Sequence, residues 1–300
     1  MVVSNTLTNA AQNAEQQKNK KKSPFRQAMK RLFKNKSAMA GLIVLVVIIL
    51  LSLLAPIIAP YGYADIDIPN MFSSPSGQHL FGTDHMGRDI FSRILYGGRA
   101  SLQIGILSSL TALVGALIIG SVAGYFGGTT DNIMMRILDV IQAMPGFLLS
   151  VTLSAVLGNG LYQTIVALSI GNLATSARIM RGSVMTIRKS EYIDAATADN
   201  TNRFDIIRKH ILPNAFSPMI VQATMGCARA ILTAATLSFI GLGVQPPTPE
   251  WGAMLSEGRS YIRDYPYIIT VPGIAIMLTV LALNLLGDGL RDALDPKQKR

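Results

Sequence analysis

One cation stands deep inside an apolar run of this sequence: Arg229, with Cys227 and Ala228 before it and Ala230-Ile231-Leu232 after. A guanidinium in mid-span costs about 2.5–3.5 kcal/mol on insertion scales, so it must face a bundle interior, a watery path or a countercharge. Two uses are open to it: lining a watery path, or pairing with a carbonyl or an acidic group. A second chemical feature is the polar stretch Glu191–Pro213, EYIDAATADNTNRFDIIRKHILP, which sits between apolar blocks. Its first helix, from Glu191 to about Ala198, carries Glu191, Tyr192 and Asp194 beside Ala195 and Ala196, a smooth surface with charge at its edge. Asn200 tolerates the left-handed backbone of a turn. Phe204, Ile207 and Ile211 then fall at spacings of three and four, the apolar stripe of a second helix. Pro213 should hold Leu212 extended and close the unit.

Reaction chemistry is missing by the same test. No G-x-x-x-x-G-K-[ST] cradles a nucleotide, and neither G-x-S-x-G nor H-E-x-x-H occurs. Asp288 and Asp292 flank Arg291 and read as a helix terminus rather than a catalytic pair. His79, His85 and His210 lack the close spacing of a zinc helix, and Cys227, the sole cysteine, excludes an intrachain disulfide or thiolate cage. No catalytic residue, metal or cofactor is expected in this chain.

The elements that must position these groups are membrane spans. Apolar residues come in blocks of roughly twenty, the length a helix needs to cross the hydrocarbon core. Met39–Leu54 is apolar except for Gly41 and Ser52, and no soluble helix is apolar all round for so long. The fold class is therefore all-α and polytopic, with six spans at about 38–61, 101–126, 133–157, 161–180, 218–242 and 267–286. The fourth, with Asn172, Thr175 and Ser176, suits a bundle interior. Pro145-Gly146 should kink the third, and Gly120 with Gly124 forms a G-x-x-x-G packing signal in the second. Residues 62–98 form an outer segment, 181–214 an inner loop, and 1–37 a basic tail whose first 22 residues have a disordered composition.

Net charge is +10, yet its placement argues against nucleic acid. Nine basic residues lie between Lys18 and Lys36, just ahead of the first span; Lys20–Lys22 could also touch anionic lipid. The proposed inner segments hold 21 of the 27 Lys and Arg residues. Basic residues stay on the cytoplasmic face, which puts both termini and the Glu191–Pro213 hairpin there.

On those residues the chain resembles a known family. Glu191 through Ala196, then Asn200, then Ile211-Leu212-Pro213, is similar to the cytoplasmic EAA loop of bacterial ABC importer permeases. Asp194 stands where that family has Glu, and Asn200 where it has Gly. Phe81–Leu102, Leu237–Leu255 and Ala282–Pro296 resemble the C-type permease subunit of dipeptide and oligopeptide importers. The resemblance runs from roughly Leu42 to the end. It implies a type I importer fold and a heterodimer with a second permease subunit. It also implies two ATP-binding cassette subunits that hold ATP and Mg, a binding protein outside, and a place in the bacterial inner membrane. In this frame the hairpin docks on an ATPase. A helix over Gly87–Tyr96, with Asp89 and Arg93 one turn apart, is expected either to line an outer vestibule (with Asp84, Arg88 and Trp251) or to pack as a lid. Trp251 has the side chain of an interfacial anchor. The substrate is expected to be a peptide, with nickel or another small solute as the alternative. A secondary transporter would need titratable groups at the midplane, where only Arg229 and Asp139 stand.

Overall fold

The computed structural model describes residues 24–294, with side chains from residue 29. The expected disorder of residues 1–22, the lipid contact of Lys20–Lys22 and the terminal KQKR lie outside the described residues. Eleven α-helices and two short 3-10 turns, Ile68–Asn70 and Arg259–Tyr261, follow one another among the described residues, with no strand beyond an isolated bridge between Thr83 and Asp89.

Helix α1, Pro24–Lys34, lies in the basic tail expected over residues 1–37, beyond its first 22 residues. It is held because Leu32 is buried against Ala38 and Ala293. Asn35 breaks the chain and caps α2, Lys36–Leu53, its side-chain oxygen accepting from the amides of Ser37 at 3.1 Å and Ala38 at 3.3 Å. The helix ends before Pro56, and one further turn, α3, covers Ala55–Ile58, three residues short of the expected end. After the outer segment, α4 runs unbroken over Ile90–Phe126. The separate helix expected over Gly87–Tyr96 is thus the first two turns of the second span. Asp89 starts it, accepting from the Ser92 amide at 2.7 Å.

The third span is broken outright. Helices α5, Gly128–Gln142, and α6, Gly146–Leu157, meet at 80° across Pro145. Proline lacks the amide that would continue the ladder and sets its own φ. Helix α7, Leu161–Arg188, extends eight residues past the expected fourth span. Helix α8 covers Glu191–Ala198, α9 Arg203–Phe239, α10 Trp251–Gly258 and α11 Tyr267–Leu294.

By length and composition α2, α4, α9 and α11 can each cross a membrane, and α5 with α6 can cross as one bent element. Only α7 falls short of six. Its 28 residues reach about 42 Å at 1.5 Å per residue, long enough to cross, but its polar and charged residues lower its hydropathy. Thr164, Ser169 and Ser176 are buried along it. Its closest neighbour is α4, and the G-x-x-x-G pair makes the contact. A Cβ on Gly120 would lie 2.6 Å from the Ala177 carbonyl oxygen, and one on Gly124 2.8 Å from that of Arg181. Only glycine lets the two backbones come this close.

Candidate functional site

At one end of the bundle the chain folds into the hairpin. Helix α8 begins at Glu191 and ends at Ala198, as the alanine and acid pattern suggests. Its end is a Schellman motif. The Thr201 amide donates to the Ala196 carbonyl and the Asn200 amide to that of Thr197, each at 3.1 Å, with Asn200 at φ 57°. Asn200 therefore turns the chain as glycine would. Asn202 caps the next helix by accepting from the Phe204 amide.

The second half differs from the expected stripe. Residues Ile206–Ile211 form a π turn, which moves the repeat from three and four to five. Ile206 and Ile211 are the buried pair, Ile207 is half-buried, and Phe204 is 67% exposed. Pro213 does not close the unit either. Leu212 is helical at φ −54° and ψ −48°, and α9 continues through it. A proline ring normally collides with the carbonyl four residues back; the wider π turn just before it moves those carbonyls aside.

Three buried side chains make the hairpin part of the bundle. Ile193, Ile206 and Ile211 join one core with Ala177, Met180 and Val184 of α7, Tyr125 of α4 and Met219 of α9. What faces outward is Glu191, Tyr192, Asp194 and Ala195, with Ala196 half-buried, and Phe204 beyond the turn. This is a small, mixed surface on a rigid base. A helix faced with alanine enters a groove closely, and acids at its rim fix register.

The opposite end carries a buried ion cluster. Asp84 accepts from Arg88 at 2.7 Å and from Arg93 at 2.5 Å; Glu257 of α10 accepts from each of the same two at 2.8 Å. Asp84, Arg88 and Arg93 are all at least 95% buried. Burial pushes the Asp84 carboxyl up, but the guanidiniums of Arg93 and Arg88 and the amides of Met86 and Arg88 more than offset this. The carboxyl sits below the usual range. Asp89, expected to face Arg93, instead meets His79 at 3.0 Å. Trp251 is 2% exposed and donates its ring N–H to the Ile94 carbonyl at 3.0 Å, so it does not stand at a membrane surface. Beside it Glu250 caps α10 through the Ala253 amide and accepts from Ser101, both at 2.9 Å. Asp84, Arg88, Asp89 and Trp251 thus fasten the outer segment to α4 and α10.

Arg229 lies on the face of α9 turned away from Cys227 and is exposed. No side chain among the described residues pairs with it. Leu232 and Thr236 share its exposed stripe. Asp139 is bonded to Arg178 at 2.6 Å, so the two mid-span groups do not meet.

Residues 116–300 match the model of the binding-protein-dependent transport system inner membrane component, and residues 23–75 that of the N-terminal TM domain of oligopeptide transport permease C. The chain belongs to this permease family. The permease is 46% identical over 275 residues to the dipeptide transport system permease protein of Alkalihalophilus pseudofirmus, covering 92% of this chain and 90% of that one. It is 43% identical to the glutathione transport system permease protein of Pectobacterium atrosepticum, covering 92% of both. Against the di/tripeptide transport system permease protein of Pseudomonas aeruginosa the figure is 40%, over 88% of this chain and 89% of that one. Among solved structures it resembles the MetNI methionine ABC transporter in its inward-facing form, with TM-score 0.53 and 18% identity over 68% of this chain and 96% of that one. That likeness is one of fold. Membership makes the permease an integral membrane protein that works with other ABC components.

The sequence pattern places Phe204 in a buried stripe, and the π turn puts it outside. Glu257 is 169 residues from Arg88 and Glu250 is 149 from Ser101, distances that no local pattern reports, while His79 reaches Asp89 across ten residues of loop.

Proposed function

We propose that this permease forms half of the translocation path of an ATP-driven importer of di- and oligopeptides, and that its hairpin receives the motion of the partner ATPases. The observation that carries the reading is the hairpin itself. It presents Glu191, Tyr192, Asp194, Ala195 and Phe204 outward while Ile193, Ile206 and Ile211 bind it into the core at the ends of α4, α7 and α9. A push on the hairpin is therefore a push on three spans. ATP and Mg belong to the ATPase subunits, and this chain hydrolyses nothing. The ATPases bias two global states through their different contacts with the hairpin, which is all that alternating access requires. Both termini and the hairpin are cytoplasmic, and an extracytoplasmic protein delivers substrate at the other end. A second permease subunit completes the path.

Peptides are the substrate class that the relatives' names share, since dipeptides and glutathione are both peptides with free carboxylates. Arg229 is the group assigned to that carboxylate. It is the exposed cation of the α9 stripe, and a path-lining position relieves its cost in hydrocarbon. The decisive experiment places a bulky charge on the docking face. Ala195→Glu should leave ATP hydrolysis by the assembled transporter running while peptide uptake stops. Normal uptake with normal coupling would end the proposal. Arg229→Ala should lower uptake without changing assembly; unchanged uptake in an intact complex removes Arg229 from the path.

A further inference from the structure

The first and last spans, α2 and α11, touch at the hairpin end and part at the other. A Cβ on Gly41 would stand 2.6 Å from the Ala282 carbonyl oxygen, and one on Gly289 2.2 Å from the Ala38 Cβ. Toward the outer segment the same two helices diverge around a crevice of about 340 Å³. Ile48 and Leu51 form one wall, Ile274 and Leu278 the other, and Phe81 and Trp251 close the floor.

Three observations say what fills it. The lining is hydrocarbon apart from the Ser52 hydroxyl and the Trp251 ring N–H, and the latter is already spent on Ile94. Water needs two to four polar partners to stay in a cavity, so this one does not hold it. The mouth is rimmed by Leu51, Ile274 and Leu278, 39%, 45% and 40% exposed. Beyond the rim, Leu50 and Met277 continue the same apolar faces at 50% and 57% exposure. Finally, Ile48 is five residues from the end of α2 at Leu53, about 7.5 Å along the axis. The crevice therefore lies at hydrocarbon depth in one leaflet, inside a membrane about 30 Å thick. We infer that it seats one acyl chain of a phospholipid from the leaflet on the outer-segment side. The chain fills the space between the two spans and packs against Trp251, next to the end of α10 that Glu250 caps.

Trp251 is the sole tryptophan of the permease, which gives the test its reporter. The assembled transporter is placed in vesicles of phosphatidylcholine with or without bromine atoms at mid-chain. Trp251 emission is taken as the difference from the same complex carrying Trp251→Phe. The expected result is loss of that emission in brominated lipid, with recovery in Ala275→Phe, whose ring occupies the crevice. Ile274→Phe serves as a second filling variant should Ala275→Phe fail to assemble. Equal emission in the two lipids would overturn the inference, as it would if a span of the partner subunit filled the space. Quenching that survives both filling variants would overturn it as well, because the bromine would then act from bulk lipid.

Discussion

Replacing Glu257 by alanine tests the buried cluster that holds the outer segment to the bundle. Its carboxylate receives Arg88 and Arg93, both at 2.8 Å. Without it, two guanidiniums that are at least 96% buried share Asp84 alone. Removing one partner of a buried pair costs about 3–5 kcal/mol. Two facts draw the expectation to the lower end of that range. Asp84 still serves both cations, and the Glu257 side chain is 17% exposed, so some water reaches the vacated place. For a chain of this size each kcal/mol moves the thermal midpoint by about 2–4 °C, so about 3 kcal/mol becomes a fall of about 6–12 °C. Glu257→Gln keeps an acceptor and should fall less. Asp84→Ala should fall further, since it also strands the Met86 and Arg88 amides that the carboxylate accepts from at 2.8 and 3.1 Å. The assay is the temperature at which the detergent-solubilised complex loses its size-exclusion peak. The two acids act on the same cations, so the double variant should lose less than the sum of the single ones. A midpoint for Glu257→Ala within about 1 °C of the parent, well below the shift that one kcal/mol produces, would refute the reasoning.

The cluster also has a pH signature. Asp84 has a depressed carboxyl in the folded chain, so its contribution is present above the ordinary Asp value of about 3.9 and is lost only as pH falls through the lower folded value. The gap in midpoint between parent and Asp84→Asn should therefore stay constant from pH 8 to pH 5; a gap that closes by pH 6 contradicts the account. Asn200 holds the left-handed turn of the hairpin at φ 57°. Asn200→Val should cost about 1–2 kcal/mol locally and speed amide hydrogen exchange over residues 191–201, whereas Asn200→Gly should leave exchange unchanged.

Much of the architecture was legible because its causes are local. Apolar runs mark spans, the G-x-x-x-G of α4 marks a close backbone approach, and an asparagine after an alanine-rich helix marks a left-handed turn. What sequence reading lost has physical reasons too. The π turn at Ile206–Ile211 has no sequence period of its own, so a stripe at three and four placed Phe204 inside and Pro213 at an end. Helix α7 was legible as the least apolar span, but its length was not: it runs on to Arg188 because Val184 packs into the core shared with the hairpin. At the outer end, Asp89 and Arg93 stand one turn apart yet choose His79 and Asp84 as partners. Tertiary contacts decided those pairings. Trp251 is equally instructive, since an aromatic beside prolines suits a membrane surface and here lies beneath α4.

The central claim is that the hairpin meets the ATPase. Cys227 is buried and is replaced by serine, and a single cysteine is set at Ala195, with single cysteines on the nucleotide-binding subunits around their docking grooves. Oxidative cross-linking of the assembled transporter should join Ala195→Cys to an ATPase subunit, with a yield that changes on ATP binding. An intact complex in which Ala195→Cys gives no such product, while a cysteine at Leu80 in the outer segment does, would contradict the account.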